Sequence, residues 1–569
     1  MTNKTGRFAI IEQFLADGMT YMFGNPGTVE QGFLDALSAY PEMKYILTLQ
    51  ESIALMLGDG YARAKQKPAL VQIHSTPGLG NTIGAMYQAM RGHAPLVVIG
   101  GDAGLKYLPM EAQMFGDLVA FAKPVTKWST MVMDSASLLR TLRRAIKIAA
   151  TPPMGPVYVC LPADVMDKPA VEEVEPTSIP STRVVPDDSL IQEAVVLLAN
   201  AQKPMIFMGD GVAYSGAQDE LTEVAELLGA EVWGVDSGEL NMSYAHPLYQ
   251  GQTGHMFGSG SLPITEKGDV NLVCGTYMVP EVYPNLGNIF TPEAKIIHID
   301  LNAYEIAKNH RVDLGVVSDP KLTLAKLAAA LESTMTAKQK QAAQARASEI
   351  GKAKEQKLNE QLKADKAVRG EVPLHASRFM EELAAVLPED TMIFDEALTC
   401  SPELTRYIPP TKPGHFFQTR GGSLGVGIPG ALGLKLAHPE RTVLGFTGDG
   451  GSMYTIQALW TAAHHNIGAK FVICNNQSYM LLKLNILQYW RDQIDVPEHE
   501  FPHSFDLCQP VIDFAALAQS MGVPSIRVER PEQVGPAIRQ VLAEDGPFLI
   551  DLIVTSHVPG AKMNCKCGQ

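Results

Sequence analysis

The sequence predicts an α/β protein made of three consecutive doubly wound parallel-sheet domains. Short, wholly apolar runs alternate with amphipathic stretches along most of the chain, the pattern of parallel strands joined by crossover helices. Two segments without apolar periodicity interrupt that alternation. The length of 569 residues exceeds what one core supports and corresponds to roughly three or four domains.

The first block spans residues 1–170, with YMFG, KYILTLQ, PALVQIHS, PLVVIGG and GPVYVCLP as its strands. The segment AVEEVEPTSIPSTRVVP, rich in Pro, Ser and acids, reads as a linker. The second block, 187–333, carries PMIFMG, VNLVCG and AKIIHID. Residues 337–366 favour helix but have little apolar stripe, which predicts an exposed connecting helix. The third block, 370–555, carries TMIFDEA, RTVLGFTGDGG, AKFVICNNQ and PFLIDLIV, and a tail, 556–569, follows.

Composition narrows the function. Hydrophobic residues make up 46% and charged residues 19%, as in ordinary soluble domains, and the net charge is −15. A chain this acidic is repelled by phosphate surfaces, so neither nucleic acid nor membrane is expected as a partner. The N-terminus lacks the apolar core of a signal peptide, and no stretch is long enough to cross a bilayer, which predicts a cytoplasmic protein. The seven cysteines are scattered and odd in number, and reduced thiols are expected.

The chemistry concentrates in residues 448–479, GDGGSMYTIQALWTAAHHNIGAKFVICNNQSY. A strand runs into Gly-Asp-Gly-Gly, a helix follows, and a second strand ends in Asn-Asn. Parallel strands end on the same edge, so Asp449 and Asn476, 27 positions apart, should meet after one crossover. With the Ser478 carbonyl they supply a carboxylate, an amide oxygen and a backbone oxygen, hard ligands suited to Mg²⁺. Gly448, Gly450 and Gly451 let the backbone approach a diphosphate. Two decoys fail. Gly58-Asp59-Gly60 and Gly209-Asp210-Gly211 lack the distant Asn-Asn, and the HExxH-like run His499–His503 contains Pro502, which cannot lie inside the helix such a zinc site needs.

The 448–479 segment resembles the signature of thiamine-diphosphate enzymes, and the likeness spans nearly the whole chain. FGNPGTVEQGFLDAL (23–37), LQESIALMLGDGYARA (49–64), IHSTPGLGNTIGAM (73–86) and GGSLGVGIPGALG (421–433) resemble the benzoylformate-decarboxylase branch. The resemblance implies a pyrimidine-binding first domain, a central domain and a diphosphate-binding third domain. It also implies thiamine diphosphate and Mg²⁺ as cofactors. Active sites would lie between subunits of a homodimer or homotetramer. Glu51 would hydrogen-bond the aminopyrimidine and activate the thiazolium carbon. Asn25, Pro26, Gly27, Thr399, Ser401 and Tyr479 would contact the cofactor, Gly422 would accept from its amino group, and Leu424 would wedge it into a bent form.

The same likeness makes His74 a substrate-facing acid/base and places Thr28 beside the substrate. It also expects a second histidine near 279–284, where this chain reads Val-Pro-Glu-Val-Tyr-Pro. That departure, the long apolar stretch after the metal loop and the lysine-bearing tail resemble the bacterial 2-hydroxyacyl-CoA lyases. By that resemblance Arg406, Lys562 and Lys566 would contact coenzyme A, and an acid is expected near position 493. Gln493 stands there instead, and an amide does not exchange protons near neutral pH. The substrate would then be an acyl-CoA, cleaved to formyl-CoA and a ketone or aldehyde. A 2-keto acid is the alternative.

Overall fold

A computed structural model describes residues 4–558. It contains three parallel sheets of six strands. In the first the strands lie in the order Lys44–Leu47, Tyr21–Gly24, Ala69–Ile73, Leu96–Asp102, Val157–Pro162 and Trp128–Met131. In the second the order is Leu314–Val317, Lys295–Asp300, Val270–Cys274, Pro204–Met208, Glu231–Gly234 and Tyr249–Gln252. In the third, five of the six strands, Met392–Glu396, Val443–Gly448, Lys470–Asn475, Phe548–Ile553 and Ser525–Val528, follow one another. Each sheet turns back on its own sequence order, the mark of doubly wound topology.

The chain divides into two compact units. One comprises the residues up to Ser181, Val386–Cys400 and everything from Thr419 on; the other comprises Thr182–Ala385 and Ser401–Gln418. Most of the third sequence block thus shares a unit with the first. Their joint is a helix crossing between Glu51–Lys65 and Gly427–Ala437. A Cβ on Gly60 would lie 2.2 Å from the Gly430 carbonyl oxygen, and one on Gly433 would lie 2.2 Å from that of Leu57. Glycine at these positions lets the two backbones touch.

In the second unit the 31-residue helix Ala337–Ala367 begins with a capping box, Thr336 and Gln339, and buries only Ala343 and Asp365. Its propensity-driven character matches the sequence expectation. Cys160, Cys274, Cys400 and Cys474 are free and buried. Cys508 is disulfide-bonded, which corrects the expectation of reduced thiols throughout. Among the described residues no helix is long and apolar enough to cross a membrane.

Candidate active site

Gly448 lies opposite Cys474 where Val443–Gly448 and Lys470–Asn475 run in parallel, so Asp449 and Asn476 leave the sheet at one edge. Both are buried. The Ser478 backbone N–H donates to Asp449 Oδ2 at 3.2 Å and to Asn476 Oδ1 at 3.0 Å, so the two oxygens flank one donor. A left-handed Gln477, φ 56°, makes the bend that returns Ser478. The Ser478 carbonyl accepts from the Met480 N–H at 2.8 Å, and its second lone pair stays available.

Burial pushes the Asp449 carboxyl up to about 6, while N–H donors, led by Gly450, pull it back. A divalent cation would compensate that buried charge, and the donor set of carboxylate, amide and carbonyl suits Mg²⁺. The residues therefore fit the ion. They also fit a diphosphate: a Cβ on Gly448 would meet nothing within 4 Å, whereas one on Gly450 would strike the Tyr479 ring at 2.4 Å. Tyr479 thus packs on the loop and Gly448 opens beside it. Gly451 lies in the same buried first turn.

Glu396, at the end of Met392–Glu396, organises the next part of the edge. Its Oε1 accepts from the Gly425 N–H at 2.6 Å, and its Oε2 accepts from the Gly427 N–H at 2.8 Å and the Thr447 hydroxyl at 3.1 Å. Burial pushes it up to about 7 against those donors. The carboxyl caps the Gly427–Ala437 helix and ties it to the strand that ends in Gly448. Gly422 and Gly425, φ 71° and 102°, adopt the left-handed conformations that let residues 421–425 turn above this cap. A Cβ on Gly422 would meet nothing within 4 Å, and Leu424 is half-buried. Thr399 follows a left-handed Leu398, φ 50°.

Glu51 opens the Glu51–Lys65 helix, whose cap is Gln50, its side chain accepting from the Ser52 N–H. The carboxyl is buried and its Oε2 accepts from Asn81 Nδ2 at 3.0 Å. His74 caps Ser75–Arg91, and its Nδ1 lies 2.9 Å from Glu30 Oε2. Glu30 Oε1 in turn accepts from the Gly101 N–H at 2.7 Å. Burial raises the Glu30 carboxyl, the neighbouring His74 partly offsetting the rise. A Cβ on Gly27 would lie 1.9 Å from His74 Nδ1, which explains the glycine between Pro26 and Thr28. Asn25 Nδ2 donates to the Thr48 carbonyl at 2.8 Å and fixes the start of this loop. Pro26 and Thr28 face solvent.

These residues form two groups, Asp449–Asn476–Ser478 and Glu51–His74. Among the described residues no hydrogen bond joins the two groups within one chain. Gln493 is the exposed residue that ends Met480–Asp492. Ser401 and Arg406 belong to the second unit. The Arg406 guanidinium pairs with Asp365 at 2.6 Å and Glu403 at 3.7 Å, both of them mostly buried, so these acids occupy the head intended for a phosphate. Lys562 and Lys566 lie outside the described residues.

Sequence reasoning missed Glu30, Asn81, Glu396 and Lys483. Lys483 is fully buried and pairs with Asp506 at 2.6 Å, and Asp506 bridges Ser478 in an antiparallel pair. The Leu507 N–H donates to the Gln477 carbonyl and the Tyr479 N–H to the Phe505 carbonyl. The returning chain is thereby clamped onto the metal loop. A lysine in the first turn of the Met480–Asp492 helix was the one available hint, and it needed the fold to be read.

The chain matches the family descriptions "Thiamine pyrophosphate enzyme, N-terminal TPP binding domain" over residues 4–121, "central domain" over 191–327 and "C-terminal TPP binding domain" over 398–552. It is 30% identical to a probable acetolactate synthase large subunit of Methanocaldococcus jannaschii, covering 96% of this chain and 92% of that one. It is 29% identical to benzoylformate decarboxylase of Pseudomonas aeruginosa, covering 96% and 98%. A solved structure of the thiamine diphosphate-dependent 4-hydroxybenzoylformate decarboxylase of Rhodococcus jostii RHA1 superposes with a TM-score of 0.83 at 26% identity, covering 97% and 99%. With the three domain matches in order and a buried oxygen-donor loop at the third sheet's edge, the chain belongs to the thiamine pyrophosphate enzymes.

Proposed function

We propose that this chain is a carbon–carbon lyase that cleaves a 2-hydroxyacyl-CoA to formyl-CoA and a ketone or aldehyde, using thiamine diphosphate and Mg²⁺. The observation that carries the reading is the surface after the metal loop. Leu482, Tyr489, Ile494 and Val496 are each more than a third exposed there, although the segment is anchored by the buried Lys483–Asp506 pair. Fixed apolar side chains facing outward suit a long acyl carrier better than a small keto acid. Position 281 is Glu281, hydrogen-bonded to Ser261, where a decarboxylase histidine would be expected.

The cofactor, when bound, supplies the carbon nucleophile. Asp449, Asn476 and Ser478 would hold its metal, and Glu51 would exchange a proton with its pyrimidine ring. His74, its Nδ1 turned to Glu30, would offer Nε2 to the substrate, with Thr28 beside it. Leu49, Met110, Phe115 and Phe121 are exposed apolar residues of the first unit, which supports burial against a second copy in a homodimer or homotetramer.

A 2-keto-acid decarboxylase or carboligase is the second reading, favoured by the His74–Glu30 pair and by the named activities of the relatives. The test is incubation with Mg²⁺, thiamine diphosphate and either 2-hydroxyisobutyryl-CoA or benzoylformate. Formyl-CoA with acetone supports the lyase. Carbon dioxide from benzoylformate, without cleavage of the acyl-CoA, refutes it.

A further inference from the structure

Among the described residues, Glu51 is held at only one of its two oxygens. Asn81 Nδ2 donates to Oε2 at 3.0 Å. Oε1 sits over Gly78, where a Cβ would come within 2.9 Å of it. Asn81 is itself tied back, because its carbonyl accepts from the Ser52 hydroxyl at 2.6 Å, and the Ser52 N–H donates to Gln50 Oε1 at 2.6 Å. The residues on either side of Glu51 thus fix the helix turn that carries Asn81. The amide reaches the carboxyl from a second helix, 30 positions along the chain.

An amide N–H donates and cannot accept. It therefore requires a lone pair on Oε2, and in a carboxylic acid the better acceptor is the carbonyl oxygen. We infer that Asn81 is a positioning residue for Glu51: it pins Oε2 as the acceptor and leaves Oε1, above Gly78, as the oxygen that takes up and releases the proton. This rests on the reading that Glu51 exchanges a proton with the cofactor. Glycine at 78 serves the same arrangement by leaving room for Oε1. Without the pin, either oxygen carries the proton, and the carboxyl rotates between two states of which one is productive.

The test uses Asn81→Asp and Asn81→Leu in the full chain, each with the same number of side-chain heavy atoms as asparagine, branched at the same carbon. With Mg²⁺ and thiamine diphosphate present and no substrate, deuterium exchange at the thiazolium C2 is followed by NMR after acid quench. Cofactor affinity is measured by calorimetry. Both variants are expected to slow exchange roughly tenfold or more, with the dissociation constant within about threefold of the parent. Exchange unchanged in both variants overturns the inference. Exchange and affinity falling together also overturn it, because that is the behaviour of a structural contact. Glu51→Gln run alongside separates the two layers: if it too exchanges at the parent rate, the reading of Glu51 fails first and carries this one with it.

Discussion

Replacing Glu30 by Gln probes whether His74 works as a base. The carboxylate joins two donors in opposite directions, the Gly101 N–H at 2.7 Å on Oε1 and His74 Nδ1 at 2.9 Å on Oε2. A glutamine has one acceptor, and the Gly101 N–H demands it. The NH₂ group must then face His74 Nδ1, which can answer only by becoming an acceptor. The imidazole proton moves to Nε2, and the ring loses its basic nitrogen on the substrate side. A hydrogen bond to a charged group is worth about 1.5–3 kcal/mol, and each 1.36 kcal/mol of barrier is about tenfold in rate. The expected loss in kcat/KM is roughly 10- to 150-fold. Thermal stability should hardly change, because volume and the Gly101 bond are kept. Activity is measured against pH, with Tm as control. Burial raises the Glu30 carboxyl, so the parent's acid limb should include its protonation, and the variant should lose that component. A variant with parental kcat/KM across the pH range would show that the Glu30 contact does not set the active form of His74.

Four further outcomes are expected. Gln493→Glu restores a proton-exchanging group at an exposed helix end, and formyl-CoA production should rise with no change in Tm. Lys483→Met leaves Asp506 without its partner beside the metal loop, so urea denaturation should show a loss of about 3 kcal/mol. Gly433→Ala drives a methyl to 2.2 Å from the Leu57 carbonyl oxygen, and calorimetry should show a loss of about 3 kcal/mol from overpacking. Burial pushes Glu396 up to about 7 from the ordinary carboxyl value of 4.5, so the native chain holds that proton more tightly than the unfolded one. The contribution of this group to stability therefore falls as pH rises between about 4.5 and 7 and is constant outside that window. Urea midpoints at pH 5 and pH 8 should differ less in Glu396→Gln than in the parent.

Fully apolar central strands were legible, whereas most edge strands were not, Lys44–Leu47 being read and the interior Glu231–Gly234 missed. Val157–Pro162, Val270–Cys274 and Lys470–Asn475 are buried along their whole length and appear in the sequence as apolar runs. Trp128–Met131, Tyr249–Gln252 and Ser525–Val528 lie at sheet edges, are largely half-buried and carry polar residues, so no run announces them. The meeting of Asp449 and Asn476 was readable because neighbouring parallel strands end on the same edge. Glu30, Asn81 and Glu396 were not, because each acts on a partner brought near by the fold: Glu30 lies 44 positions from His74 and Glu396 lies 31 from Gly427. Arg406, which sequence likeness assigned to a ligand, is held in the fold by two acids that no sequence pattern announced.

The bare-backbone crossing at Gly60, Gly430 and Gly433 has a bearing on how such a chain can change. Glu51 begins one of the crossed helices, and the Glu396-capped turn that leads to Leu424 begins the other. With no side chain between them to compress or re-pack, neither helix can slide or tilt alone. The Glu51 carboxyl and the turn that carries Leu424, which the proposed intersubunit sites assign to different cofactors, are therefore set within one chain at a fixed offset that mutation can scarcely adjust. New specificity in a scaffold built this way has to come from the loops and the segment after Tyr479, while the spacing of the chemical groups is inherited unchanged.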